Sequence, residues 1–114
     1  MAARKFVVIG GVAAGMSAAS QAKRFDPQLE VIALEKGNFV SYASCGIPYY
    51  LSEVVKDHKN LIAITPEEFR EKRKVDVRLF HEAERILPDR KIVVATDHAN
   101  KKTFEMPYDK LAIC

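Results

Sequence analysis

The chain has 114 residues, enough for one domain at most, and its 18 Lys and Arg against 15 Asp and Glu give a formal net charge of +3. This basic excess is too small to indicate a nucleic-acid binder, and 48% apolar with 29% charged residues is typical of an ordered globular domain. The two cysteines, Cys45 and Cys114, exclude a disulfide framework and favour a reducing compartment.

The N-terminus has some likeness to a signal peptide, since a basic start precedes an apolar run. That run is rich in glycine and poor in leucine, however, and its loss would remove the partner of the apolar strand at Val31–Leu34. Nowhere do about 18 consecutive apolar residues occur, which is the length that a membrane-spanning helix needs. We therefore expect a cytoplasmic protein that neither spans a membrane nor binds nucleic acid.

The beginning of the chain predicts a β-α-β unit. Lys5–Ile9 is a branched apolar run, typical of a strand buried on both faces, and Glu30–Leu34 is a second such strand. Between them, Ala13–Phe25 has helical spacing and stops before Asp26-Pro27. A unit of this size is expected to hold two parallel strands joined by a crossover helix.

The remainder predicts two short helices and further strands. One helix is expected at Gly46–Val55, and another begins at Thr65-Pro66 and runs to about Lys74. Strands are predicted at Val75–Leu79, Glu82–Leu87, Lys91–Thr96, Lys102–Glu105 and Tyr108–Ile113. Turn-like segments separate the strands at 82–87, 91–96 and 102–105, so these three are expected to form an antiparallel meander. Together with the β-α-β unit they predict an α/β fold class: a Rossmann-like parallel sheet with an antiparallel three-stranded meander.

A glycine-rich turn joins the first strand to the first helix, with the sequence Gly10-Gly11-Val12-Ala13-Ala14-Gly15. Its position predicts a dinucleotide site, in which Gly10 permits a tight turn, Gly15 allows close packing and the helix N–H groups hold a pyrophosphate. Val12 departs from the usual glycine, for which Gly11 compensates in part. Glu35 ends the second strand, where its carboxylate can accept hydrogen bonds from a ribose. The alternative is a purely structural turn with a solvated Glu35.

A single thiol stands in the run SYASCGIPYY, where Cys45 precedes a predicted helix. A thiolate there would be favoured by the helix dipole, and the small residues beside it leave room for a ring or a disulfide to approach. The residues alone leave open a buried structural cysteine, the commonest role of a free thiol.

Several segments together resemble one family: FVVIGGVAAGMSAAS, VIALEKG, SYASCGIPYYL, TPEEFREKRKVDV and YDKLAI. In this order they are similar to the flavoprotein pyridine nucleotide-disulfide oxidoreductases that use a single active-site cysteine. The pattern CGIPYY is most similar to the coenzyme A disulfide reductase branch. The resemblance covers the whole chain.

The resemblance implies an FAD-binding domain whose glycine turn, Glu35 and Lys36 contact the ADP part of FAD. It implies that Cys45 is the redox-active nucleophile, reduced through the flavin by NADPH or NADH. Residues 1–114 would be the N-terminal part of that domain, without the NADH and dimerisation domains, so the chain would be incomplete through truncation and would not turn over by itself. The full-length protein would be a cytoplasmic homodimer that reduces coenzyme A disulfide or a related persulfide.

The first helix carries Ser17, Gln21 and Arg24 at positions i, i+4 and i+7, a spacing that by itself indicates a solvated polar face. The resemblance implies instead that these residues contact coenzyme A together with a second set, Ser41, Ser44 and Arg73. Arginine suits the phosphates of that ligand as a bidentate donor. The lysines on either side of Arg73 are interpreted as solvated helix-end charges.

Two alternatives to the disulfide reductase stay open. The first keeps the fold but makes the protein an NADH oxidase or peroxidase, in which Cys45 cycles through a sulfenic acid. The second is a nucleotide-binding module without catalysis. No metal site is expected, because His58, His81 and His98 lack a ligand-like spacing.

Overall fold

The computed structural model describes residues 4–41, 45, 47–61 and 64–114 of the chain. The helices are α1 (Ala13–Phe25), α2 (Ile47–Leu51) and α3 (Pro66–Glu71), with a short 3₁₀ helix at His58–Leu61. The strands are β1 (Lys5–Ile9), β2 (Glu30–Glu35), β3 (Asp76–Leu79), β4 (His81–Leu87), β5 (Ile92–Asp97), β6 (Lys102–Pro107) and β7 (Lys110–Ile113).

Two sheets build the fold. Strands β3, β2, β1 and β7 lie side by side in that order, all parallel, while β4, β5 and β6 form an antiparallel meander. The predicted α/β class, with a parallel sheet and a three-stranded meander, is confirmed. The 3₁₀ helix was not predicted from the sequence.

The parallel sheet is buried on both faces, which explains the unbroken apolar runs of β1 and β2. On one face Val8 packs with Met16 of α1 and Phe69 of α3. On the other face the adjacent Val7 packs with the inward-facing side chains of the meander, among them Val93. Neighbouring residues of a strand point to opposite faces, so each central residue of β1 and β2 faces either the helices or the meander and is apolar.

Both short helices end earlier than predicted, and each ends in the same way. A residue with positive φ follows the helix, Glu53 (φ +66°) after α2 and Lys74 (φ +57°) after α3. The backbone just beyond it then bonds back to the helix. After α2 the Val55 N–H donates to the Tyr49 carbonyl at 3.0 Å, and after α3 the Val75 N–H donates to the Phe69 carbonyl at 3.0 Å. The left-handed residue reverses the chain and prevents a further helical turn.

The last strand begins later than predicted because Tyr108 belongs to the meander. Its N–H donates to the Lys91 carbonyl at 3.0 Å, whereas the Asp109 N–H donates to the Lys5 carbonyl of β1 at 2.9 Å. The chain therefore crosses between the two sheets at this point. Parallel pairing of β7 starts at Lys110.

Candidate functional site

The carboxyl ends of three strands meet at one edge of the parallel sheet. From β1 the chain passes through α1 to β2 on one side, whereas β7 lies on the other side of β1. Ligands of open parallel sheets bind at such a switch point. The Gly10 N–H donates to the Leu34 carbonyl of β2 at 2.9 Å, and the Cys114 N–H donates to the Ile9 carbonyl of β1 at 2.8 Å. These hydrogen bonds hold the ends of β1, β2 and β7 together.

Gly10 and Gly15 are both required by the tight turn that leaves β1. Gly10 has φ +106°, and a Cβ atom there would lie 2.4 Å from the Cys114 carbonyl oxygen. A Cβ atom on Gly15 would lie 1.8 Å from the Gly10 carbonyl oxygen. Backbone atoms are the obstacle in both cases, so α1 starts directly on the turn only because these two residues lack side chains.

The N-terminus of α1 has no side-chain cap. Val12 precedes the helix with an extended backbone and a side chain that is 38% exposed. The first turn starts at Ala13 and Ala14 and contains no acidic residue. Because α1 runs for 13 residues, its dipole and its unpaired first N–H groups fit an anion such as a pyrophosphate.

Glu35 is fixed beside this turn by two backbone hydrogen bonds. Its Oε1 accepts from the Gly11 N–H at 2.8 Å, and its Oε2 accepts from the Gly37 N–H at 2.7 Å. A Cβ atom on Gly11 would lie 2.8 Å from Val40 and 3.0 Å from Glu35, so Gly11 is what admits these side chains. Each carboxylate oxygen keeps a lone pair for a further donor, as a ribose diol would require.

Lys36 points toward the meander. Its Nζ lies 3.4 Å from Glu82 Oε2, and a hydrogen bond of 2.9 Å joins Glu82 Oε1 to His98 Nε2. The hydrogen bond with His98, and then the charge of Lys36, hold the pKa of the Glu82 carboxyl below its usual value of 4.5. The residue after Glu35 thus ties the sheet edge to β4.

The segment that leads from β2 to Cys45 passes beside the glycine turn. Val40 is fully buried, and the next residue, Ser41, has φ +51° and donates its N–H to the Gly11 carbonyl at 2.7 Å. Cys45 is exposed and lies just ahead of α2. Ser44 lies outside the described residues, as do Ala43 before it and Gly46 after the cysteine. The anchored Ser41 therefore holds the start of the segment that leads to Cys45 against the glycine turn.

A depression of 360 Å³ lies between the end of α1 and the end of α3. We call it the basic depression; it is lined by Ser20, Lys23, Arg24, Pro27, Lys72, Arg73 and Lys74. Five of the seven residues are cationic and none is acidic, so the depression attracts anions. Lys23 is partly engaged, since its ammonium donates to the Leu29 carbonyl.

The basic depression unites two of the predicted coenzyme A residues, Arg24 and Arg73. Of the others, Ser17 and Gln21 are exposed on α1 but do not line it, and Ser41 lies at the glycine turn. Sequence reasoning missed Ser20, although its place four residues before Arg24 puts both on one helical face. The lysines at 72 and 74, interpreted as solvated, belong to the lining as well.

The histidines of the meander pair with acids. His98 contacts Glu82, and His81 Nε2 lies 3.8 Å from Asp97 Oδ2. Over the described ranges, no three His, Cys, Asp or Glu side chains come together as a metal site. Within the same ranges, no helix has the length and apolar character to cross a membrane.

Comparison with known proteins shows which family the chain resembles along its length. A family model for pyridine nucleotide-disulphide oxidoreductases matches residues 4–114. Among curated proteins, a coenzyme A disulfide reductase of Staphylococcus epidermidis is 37% identical over 109 residues, which are 96% of this chain and 25% of that protein. The chain therefore spans about a quarter of the length of this relative.

Solved structures give the same result. Reduced CoADR-RHD of Bacillus anthracis superposes with a TM-score of 0.93 at 32% identity, over 99% of this chain and 20% of that one. A water-forming NADH oxidase from Lactobacillus brevis, bound to NADH, superposes with a TM-score of 0.91 at 34% identity, over 97% and 24%. The match along nearly the whole sequence and the shared fold show that the chain belongs to the pyridine nucleotide-disulfide oxidoreductase family.

Proposed function

We propose that the full-length protein is an FAD-dependent reductase that uses NAD(P)H to reduce coenzyme A disulfide, or a related persulfide, through Cys45. Residues 1–114 would be the N-terminal part of its FAD-binding domain. The observation that carries the proposal is the basic depression, where Arg24 and Arg73 come together from distant parts of the sequence. Coenzyme A carries a pyrophosphate and a further phosphate, which a cationic lining without acids can hold.

The sheet edge fits the adenosine diphosphate end of FAD. The first N–H groups of α1 would hold the pyrophosphate, and the fixed Glu35 carboxylate would accept from the ribose hydroxyls. Bound FAD would supply the transfer of two electrons from NAD(P)H to sulfur. The resemblance assigns Lys36 to the same ligand, and the contact of its ammonium with Glu82 also holds the loop after β2.

Cys45 would perform the exchange chemistry. Its thiolate attacks one sulfur of the disulfide, a new S–S bond forms, and one coenzyme A leaves as a thiolate that takes up a proton. Two electrons then cleave the mixed disulfide, which releases the second coenzyme A and restores the Cys45 thiolate. The balance is one NAD(P)H and one proton consumed for two coenzyme A thiols formed. Exposure of Cys45 fits this role, because a large disulfide has to reach the sulfur.

The similarity to the Lactobacillus brevis NADH oxidase supports a second candidate. In that case Cys45 would be oxidised to a sulfenic acid and reduced back by two electrons, with oxygen or peroxide as the acceptor. Oxygen and peroxide carry no phosphate that the cationic depression could bind, whereas coenzyme A does, which is why we favour the disulfide reductase. We also propose a cytoplasmic homodimer, in a compartment reducing enough for two exposed free thiols.

The test is steady-state kinetics of the Cys45→Ser variant in the full-length protein. An alkoxide neither forms at neutral pH nor exchanges with disulfides, so reduction of coenzyme A disulfide should be lost while FAD content and NADH-to-dye transfer persist. Cys114→Ser is the matched control, because it removes the other exposed thiol. Normal turnover by Cys45→Ser would refute the proposal. Loss of oxygen or peroxide reduction, in a protein that never accepts coenzyme A disulfide, would establish the oxidase instead.

A further inference from the structure

We propose that Ser20 is a positioning residue for Arg73, which it holds in the basic depression ready to meet a phosphate of coenzyme A. The inference rests on the proposed function, since it takes the ligand of the depression from there. Ser20 lies on α1 and Arg73 just after α3, and both line the depression. The two residues therefore link α1 to the segment after α3, between which the ligand would lie.

Two contacts determine where the Arg73 side chain lies. Its Nη1 donates to Ser20 Oγ at 3.3 Å, and its guanidinium carbon lies 5.5 Å from the centroid of the Phe69 ring. Phe69 is only 1% exposed, so the core fixes the ring over which the cation sits. The hydroxyl and the ring together hold the guanidinium at the depression.

The other cations of the depression differ in this respect. The side chains of Arg24, Lys72 and Lys74 have no hydrogen-bond or ion-pair partner among the described residues, whereas the Lys23 ammonium donates to a backbone carbonyl. A free arginine loses rotamer freedom when it binds a ligand, and Arg73 has lost part of that freedom beforehand. Because Ser20 uses one N–H of five, the remaining donors of Arg73 can still form a bidentate contact with phosphate.

The experiment compares Ser20→Ala, which removes the hydroxyl, with Ser20→Thr, which keeps it, in the full-length protein. We expect Ser20→Ala to raise KM for coenzyme A disulfide about three- to tenfold, as for the loss of one hydrogen bond, with kcat and NADH-to-dye transfer unchanged. Ser20→Thr should restore KM toward that of the wild type. In an Arg73→Ala background, Ser20→Ala should change KM no further.

Two results would overturn the inference while leaving the proposed function in place. One is an unchanged KM in Ser20→Ala when Arg73→Ala raises it. The other is an equal rise of KM in both backgrounds, because Ser20 would then act independently of Arg73. Failure of the proposed function is seen separately, in a wild-type protein that neither reduces nor binds coenzyme A disulfide, and the role assigned to Ser20 would fall with it.

Discussion

Glu35 accepts a hydrogen bond from the backbone of Gly11 at 2.8 Å, which locks the end of β2 to the turn that follows β1. The second oxygen of the same carboxylate accepts from the Gly37 N–H at 2.7 Å. The carboxylate is thus oriented by the protein before any ligand binds. Such preorganisation lowers the ordering cost of recognising a ribose at this position.

Replacing Glu35 by Ala should weaken FAD retention in the full-length protein. The charge-assisted hydrogen bonds to the ribose would be lost, at a cost of about 1.5–3 kcal/mol, or roughly 10- to 150-fold in affinity. Glu84→Ala is the control, because Glu84 is exposed at the bulge of β4. The flavin-to-protein ratio after dilution and gel filtration is the measurement. An unchanged ratio in Glu35→Ala would remove this residue from the cofactor site.

Replacing Arg24 or Arg73 by Ala should raise KM for coenzyme A disulfide while sparing NADH-to-dye transfer. Each change removes a cation from the basic depression, for an expected rise of about tenfold or more. Arg90→Ala is the matched control, since that exposed arginine pairs with Glu105 at 3.4 Å in the meander. A KM that responds equally to all three variants would point to general electrostatic attraction instead of a built site.

Gly15→Ala should be severely destabilising. The added Cβ would lie 1.8 Å from the Gly10 carbonyl, so α1 and the turn must separate, at a cost of about 3 kcal/mol. Ala18→Gly, in the same helix, gives the scale of an ordinary helix substitution, about 1 kcal/mol. Thermal unfolding of both variants in the full-length protein compares them. Equal melting temperatures would show that the turn adjusts easily.

Much of this fold was predictable because β1 and β2 are buried on both faces and α1 stops before Asp26-Pro27. These are local signals, and the strand and helix bounds at Lys5–Ile9 and Ala13–Phe25 are confirmed as predicted. The early ends of α2 and α3 were not predictable, because Glu53 and Lys74, which follow them with positive φ, are of residue types that do not ordinarily adopt it. The partnership of Ser20 with Arg73 depends on packing between segments far apart in the sequence, which periodicity does not report.

The 114-residue chain by itself is predicted to bind FAD weakly or not at all and to self-associate. Strand β7 lies at the edge of its sheet with Ile113 69% exposed, and Phe25 on α1 is 81% exposed. Open strand edges and apolar surface favour contact with a second copy. Analytical ultracentrifugation over a concentration series, together with flavin absorbance, tests this. A yellow monomer of uniform size would contradict both parts of the prediction.

Acid should destabilise the protein partly through Glu82, the carboxylate that joins Lys36 to His98. The hydrogen bond with His98 and the charge of Lys36 keep the pKa of Glu82 below its usual value of 4.5 in the folded protein. A carboxyl whose folded pKa is lowered stabilises the fold above its unfolded pKa, and this contribution disappears as the pH falls through the folded pKa. Glu82→Gln keeps the shape but not the charge, so its melting temperature should fall less steeply than that of the wild type as the pH drops below 4.5. Glu84→Gln, on the same strand, should retain the wild-type slope, and an unaltered slope in Glu82→Gln would show that the contact with His98 and Lys36 contributes nothing to acid sensitivity.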